Sequence, residues 1–426
     1  MIVSKVLSLL SSGLLLLIAL FSGERTASAA KYERTYLLQP VRLAELKDAW
    51  IRRQAGSPIG ASRGALTLAK KVVSSADKVL SAPAFSVTNN PEKAAMASSG
   101  VNIHDYYSLA PYYWPDPAKS NGLPYIRRDG ERNPGRALAS DHHQSDQLTG
   151  AVGNLALAYH ITDDEKYAVA ASRFLRAFFL DPKTRMNPNM NHAQAILGTN
   201  SGRGVGIIDT LGFHQLADFI ALLSPSASWT LQDRRGMREW CREYATWLQE
   251  SKQGRDEKAA SNNHGVNYDL QLTSMLLLAG KTNAARKVLG ESLPSRMDSQ
   301  ITETGEMPRE EARRTSWHYN NFNMRSLCRG AVMANSMGIN LWNHETPEGR
   351  GSIRKAMLFL IPFLDHPKDW KFTEIKGVST KDASPWLAQG NVVYKDSQIQ
   401  KAALRFAPPD KLSVIDWLSI PSVPAN

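Results

Sequence analysis

Run after run of this sequence repeats apolar residues at steps of three and four, and very little of it alternates in twos. An α-helix buries such a stripe along one face, so the pattern commits the chain to a helical fold. Ala65, Leu68, Val72, Ala76 and Val79 form one stripe within 61–81, after a shorter pattern over 41–54. Leu148, Val152, Leu155, Ala156 and Tyr159 form another. The turn Thr162-Asp163-Asp164 follows, then a stripe of Tyr167, Ala171, Phe174 and Phe178 that Asp181-Pro182 stops. Two stripes joined by so short a turn predict an antiparallel helix pair. Stripes resume over 207–223, 229–250, 266–279, 282–290, 320–337, 348–364 and 395–405, with a Pro-rich tail beyond. Strands are expected to be minor. Helix pairs in succession stack as an open solenoid or close as an α/α toroid, and periodicity alone does not choose between them.

The first 29 residues have the form of a secretory signal. Lys5 supplies a positive start, an apolar run covers 6–21, and Ala27-Ser28-Ala29 is a small-x-small cleavage site. A membrane anchor is the alternative, and the short run followed by small residues favours cleavage. No Cys follows the run to accept a lipid. No later stretch reads as long and apolar enough to span a bilayer, so no stable membrane insertion is expected after cleavage. The expected mature chain, 30–426, shows no linker and reads as a single domain, secreted or periplasmic. It holds two cysteines, Cys241 and Cys328, which could pair or remain buried thiols; neither has metal-ligand spacing. Lys and Arg total 51 against 40 Asp and Glu, a net +11. A basic balance suits a polyanionic partner. The charges are scattered, without the dense patch or arm that nucleic-acid binding uses, so an acidic polysaccharide is the partner expected; a merely solvated basic surface is the bland alternative.

Three stretches break the helical pattern with residues that a helical core would not choose. The first, 83–136, is rich in Pro, Gly, Asn and aromatics and too long for a simple connector. It carries Tyr112, Tyr113 and Trp114, whose faces can stack on sugars, and Arg127, which can pair with a carboxylate; pinning the loop onto the helices is the plainer role for the aromatics. The second is Asn262-Asn263-His264-Gly265 and the third runs from Arg313 through Arg314 and His318 to Tyr319, each at the entry of a helix. Alone, each reads as a helix cap with a neighbouring core residue. Other motifs fail. Gly202-x-Gly204-x-Gly206 lacks the strand and spacing of a nucleotide loop, and there is no P-loop or nucleophile elbow. His142-His143 with Asp146 could contribute to a metal site, but adjacent histidines on a helix diverge.

Together the second and third stretches hold what elimination from a uronic acid needs. The C5 proton of a uronate becomes removable when charge and hydrogen bonds neutralise its C6 carboxylate, which Asn and Arg can do. A base then takes that proton and an acid protonates the departing O4, which Tyr and His can do. Neither metal nor cofactor is required.

The segments that run from Tyr106 to Pro117 and from Met186 to Asn189, together with Asn262-Asn263-His264-Gly265 and Ser316-Trp317-His318-Tyr319, resemble the alginate lyase superfamily. The resemblance spans most of the mature chain and fades at both ends. It implies an all-α fold, an α/α toroid (an incomplete α/α barrel of antiparallel helix pairs). It implies a polysaccharide lyase that cleaves β-1,4-linked polyuronate, alginate or polymannuronate first and glucuronan second, leaving 4,5-unsaturated ends. Residue by residue, it puts Asn263 and Arg313 on the carboxylate, with Arg314 a near rival. Tyr319 becomes the proton donor to O4, and also the base in a syn elimination; His264 is the base in an anti elimination or the group that keeps Tyr319 deprotonated. Tyr112, Tyr113, Trp114, Arg127, Arg314, His192 and His318 are the expected substrate contacts, His192 standing where the family more often has Tyr. Two rivals remain at this stage. A glycoside hydrolase would need two carboxylates across a cleft, from Glu310, Glu311 and Asp116. A non-catalytic glycan binder would need only the basic, aromatic surface.

Overall fold

The computed structural model describes residues 33–422, apart from 59–62, 92, 94–99 and 140. The leader expected over 1–29 lies outside the described residues. Helices α1 (Pro40–Gln54) and α2 (Arg63–Val79) open the chain, and the paired α3 (His142–Thr162) and α4 (Glu165–Leu175) follow the long loop. Then come α5 (Leu216–Leu222), α6 (Leu231–Glu250), α7 (Lys252–Lys258), α8 (Asn263–Leu278), α9 (Thr282–Lys287) and α10 (Leu293–Gln300). The chain ends through α11 (Pro308–Glu311), α12 (Ser316–Ser336), α13 (Ile353–Leu360), α14 (Pro362–Asp365), α15 (Ser384–Val393), α16 (Ser397–Phe406) and α17 (Val414–Leu418). The turn between α3 and α4 is built as its sequence suggests. Asp163 takes a left-handed conformation at φ 56°, and the Asp164 side chain accepts from the Lys166 N–H to cap α4.

The arrangement is an α/α toroid. Inner helices alternate with outer ones along the chain, and burial separates the two kinds. On the outer α6 only a stripe is buried, with Met237, Trp240, Cys241, Tyr244 and Leu248 at its centre. On the inner α8 every residue from Gly265 to Leu276 is buried. An inner helix must therefore satisfy polar groups on all sides. On α8, Ser326 Oγ donates to Asn267 Oδ1 at 2.8 Å, Gln271 Nε2 donates to the Ile207 carbonyl at 3.1 Å, and Ser274 Oγ donates to the Phe213 carbonyl at 3.0 Å. These bonds fix α8 against α12 on one side and the 204–222 segment on the other. One continuous apolar core links the inner and outer layers. The last helix returns to the first: the Gln39 N–H donates to the Leu418 carbonyl at 2.9 Å, and Arg42 lies 5.2 Å over the Trp417 ring.

Four short strands supply the extended pairings among the described residues, besides the isolated bridges Ile196–Asn200 and Thr315–Glu374. β1 (Tyr107–Leu109) runs parallel to β4 (His192–Ala195), and β2 (Tyr113–Trp114) runs antiparallel to β3 (Ile126–Arg127). They stiffen the long loop and stand it against the inner helices. Several expectations need correction. Residues 204–215 are 3-10 rather than α-helix, and the helix expected over 348–364 begins at Ile353. Gly204–Leu222 is long and apolar enough to span a bilayer by composition, contrary to the sequence reading, but 72% of it is buried in this core. Helices α7, α10, α11, α15 and α17 were not foreseen. Cys241 and Cys328 are both free, buried thiols.

Trp386 of α15 is fully buried, and its Nε1–H donates to Asn321 Oδ1 of α12 at 2.9 Å. Trp386→Ala should lower unfolding free energy by about 3–5 kcal/mol, through the void and the stranded amide oxygen. Urea unfolding followed by circular dichroism measures it.

Candidate active site

The two stretches singled out by sequence meet at the mouth of the ring. Asn262 caps α8, its side chain accepting from the His264 N–H. Gly265 then has a packing reason: a Cβ there would lie 2.1 Å from Arg296 Nη1 and 2.3 Å from the Ala260 carbonyl oxygen. Arg296 fills that space. It donates to the Ala260 and Lys258 carbonyls and pairs with the buried Asp269 carboxylate, so the loop before α8 is clamped from α10. Asn263 and His264 leave this clamp facing a cleft of about 640 Å³. Arg313, His318, Tyr319, Tyr112, Tyr113 and Arg127 line the same cleft.

The phenol of Tyr319 is the centre of the arrangement. Arg313 Nη2 donates to its oxygen at 2.8 Å, and the Tyr112 hydroxyl lies at 2.8 Å from the same oxygen. The guanidinium also stands 3.7 Å from the Tyr319 ring centroid. Asp129, from the long loop, receives Arg313 through both carboxylate oxygens, at 2.9 and 3.2 Å. Burial drives the Tyr319 pKa up and Tyr112 adds to this, while Arg313 opposes, so the resting group is a neutral phenol. With Arg313 as donor, and Tyr112 free to donate once the Tyr319 proton has left, the oxygen can nevertheless carry negative charge briefly.

His264 is held differently. Its Nδ1 lies 2.7 Å from Glu257 Oε1, a carboxylate 1% exposed at its side chain on α7. Burial disfavours the imidazolium, but Glu257, with a smaller contribution from Glu310, outweighs it and raises the His264 pKa. Nδ1 is occupied, which leaves Nε2 for a ligand. Asn263 is pinned by Glu310: its backbone N–H and Nδ2 donate to the two carboxylate oxygens at 2.6 and 2.7 Å. The Asn263 Oδ1 is buried with no partner.

Alginate lyase is the family whose sequence model matches residues 89–370. The chain belongs to the alginate lyase family. Among solved structures, an alginate lyase from Bacteroides ovatus is 33% identical, covers 90% of this chain and 99% of its own, and superposes with a TM-score of 0.82. Alginate lyase A1-III from Sphingomonas species A1 is 17% identical over 88% of this chain and 96% of its own, with a TM-score of 0.49. Compared by sequence with curated proteins, the chain matches none.

In this alginate lyase family member the cleft does not collect every expected contact. Arg314 is not among the lining residues, as Arg313 is; it bonds to Glu131 Oε1 at 2.8 Å and the Asp129 carbonyl at 3.0 Å. Trp114 is absent from the lining; its Nε1–H donates to the Glu131 carbonyl and Arg128 covers its ring. His192 sits in β4 with Nδ1 against the Ser201 carbonyl at 3.3 Å, also off the cleft. His142 and Asp146 do line it, His142 Nδ1 lying 3.0 Å from the Asp209 carbonyl. The three carboxylates considered for a hydrolase do not line the cleft: Glu310 is spent on Asn263, Glu311 accepts from the Met307 N–H, and Asp116 accepts from the Ala118 N–H in a turn; the carboxylates that do line it are Asp146 and Asp209. Sequence reasoning missed Glu257 and Asp129, which position the lyase residues. A carboxylate seven residues before a histidine, across a helix break, has no periodic signature.

Glu257→Gln should lower the His264 pKa, read from the ring C–H shifts by NMR titration. The sign also fixes a stability effect. The raised pKa stabilises the fold fully below about 6.5 and ceases to do so as pH rises through the folded-state value, so this contribution should vanish in the variant.

Proposed function

We propose that this enzyme cleaves β-1,4-linked polyuronate, alginate rich in mannuronate first and glucuronan second, by syn β-elimination. The observation that carries the reading is the oxygen of Tyr319, held by Arg313 and Tyr112, in a cleft shared with His264, whose imidazolium Glu257 favours. The B. ovatus protein, called an alginate lyase, supports the substrate class.

The geometry redistributes the roles expected from sequence. Glu257 favours the His264 imidazolium, which makes that ring a poor base and a good neutraliser of the C6 carboxylate. Glu310 holds Asn263 by its backbone N–H and its Nδ2, which fixes the direction of the amide beside His264. Arg313 steadies the phenolate of Tyr319. In the minor ionised state, Tyr319 takes the C5 proton, and the C5–H electrons form the C4=C5 bond as C4–O4 breaks. The phenol so formed gives its proton to O4, which returns the phenolate. One group can perform both transfers only where C5–H and C4–O4 share a face of the ring. Mannuronate and glucuronate meet that condition; guluronate does not. The leader-like Lys5, the apolar run and Ala27-Ser28-Ala29 support action outside the cytoplasm on polymer too large to enter.

Polymannuronate, polyguluronate and glucuronan incubated with the enzyme should differ. Ultraviolet absorbance of the unsaturated ends should rise fastest with polymannuronate and least with polyguluronate. No rise with any of the three, or reducing ends without absorbance, overturns the reading. Tyr319→Phe should lose about 10²–10⁴-fold in kcat while oligomannuronate still binds. Because the active phenolate is the minor form, kcat/KM should climb with pH across the neutral range.

A further inference from the structure

Arg203 stands out among the partly buried arginines of the cleft; Arg132, which also lines it without an ion pair among the described residues, is exposed. Arg313 and Arg127 share Asp129, Arg136 pairs with Asp209, and Arg329 pairs with Asp416. Arg203 lines the same cleft, is largely buried, and has no carboxylate partner among the ion pairs of the described residues. Its acceptors are neutral: Nε donates to the Gln194 carbonyl at 3.0 Å and Nη2 to Gln194 Oε1 at 2.9 Å. Its guanidinium lies 5.2 Å from the centroid of the Tyr113 ring, another cleft residue. A half-buried cation with no carboxylate in direct contact is costly, and burial depresses its pKa, with Tyr113 and the more distant Asp209 opposing.

The surroundings go to some length to hold it there. Gln194 has φ 49°, a left-handed conformation that is strained for a non-glycine residue. It is fixed from every side: its N–H donates to Ser108 Oγ at 2.8 Å, its Nε2 to Asp209 Oδ1 at 2.7 Å, and both its oxygens face Arg203. The glycines that resembled a nucleotide loop serve the same end. A Cβ at Gly202 would lie 2.0 Å from the Asn191 carbonyl oxygen, and one at Gly206 would lie 2.5 Å from Ala193 Cβ. Their absence of side chains lets 202–206 press onto β4, where the Arg203 N–H donates to the Ala193 carbonyl at 3.0 Å. Gly204, between them, abuts Glu257, with a Cβ there 3.2 Å from the Glu257 nitrogen. Arg203 thus borders the His264 side of the site, and Tyr113 follows Tyr112 in the chain.

We propose that Arg203, backed by Gln194 and Tyr113, binds the carboxylate of the uronate next to the one undergoing elimination. The strained clamp occupies one edge of the guanidinium and leaves Nη1 for the ligand. This site rests on the polyuronate reading above and adds a subsite to it. It sets affinity for a neighbouring sugar and takes no part in proton transfer.

The test uses oligomannuronate as probe. Titration calorimetry in a Tyr319→Phe background measures binding without turnover. Adding Arg203→Met should raise Kd by about 10–100-fold, the loss of a charged hydrogen-bonding group, and Arg203→Lys should fall between. With Tyr319 intact, Arg203→Met should raise KM by a similar factor and leave kcat within about threefold. An unchanged unfolding midpoint establishes that the variants fold; if Arg203→Met does not, Arg203→Lys alone decides. Unaltered Kd and KM in a folded variant overturn the subsite while leaving the lyase reading intact. A fall in kcat with KM unchanged also overturns it. Absence of both binding and cleavage by the unsubstituted enzyme overturns both.

Discussion

One guanidinium holds the catalytic face together. Arg313 follows the short helix α11, and its side chain joins the long loop to the inner helix α12. Asp129 brings in the loop through two oxygens; Tyr319 brings in α12 through its hydroxyl and ring. A bidentate carboxylate contact fixes direction as well as distance. Removing the aspartate would free the arginine and also release the segment that carries Tyr112. The charge that steadies the reacting oxygen and the link that fixes the loop are therefore one interaction. Lysine would satisfy the charge but could not offer the same planar fork.

The helical plan could be read from the sequence because the outer helices must carry a stripe. Where a helix is buried all round, the stripe fades, and there the reading failed: α15 is apolar or small on most of its circumference and gave no period to count. The 204–215 segment failed for a related reason, its glycines being selected for close packing against β4 rather than for helix formation. Of the site, Asn263, His264, Arg313 and Tyr319 were legible because polar groups at helix entries have little structural use when clustered. Trp114, Arg314 and His192 have the right chemistry on the wrong side of their backbone, which no spacing rule reports. Glu257, Asp129 and Arg203 were missed because a single charged residue in a helix or loop is ordinarily a solvated one. Only the fold shows that the first is dry and the last unpaired.

Two carboxylates beneath the cleft, Glu257 and Glu310, divide the work of a small polar pair. One sets the charge of a ring and the other sets the direction of an amide, and neither needs to touch a sugar. Such backing residues are why a motif of four amino acids does not define a site. The same Asn-Asn-His-Gly without these partners would present a neutral imidazole and a rotating amide, with different chemistry from the same letters.

The meeting of residues 39 and 418 has a mechanical consequence. In a linear stack of helix pairs each end has a neighbour on one side only, and melting starts there and spreads inward. Here the first and last helices lean on each other, so neither is the weak end. Loosening any one pair takes support from two others at once, and the molecule should give way as a whole rather than unravel.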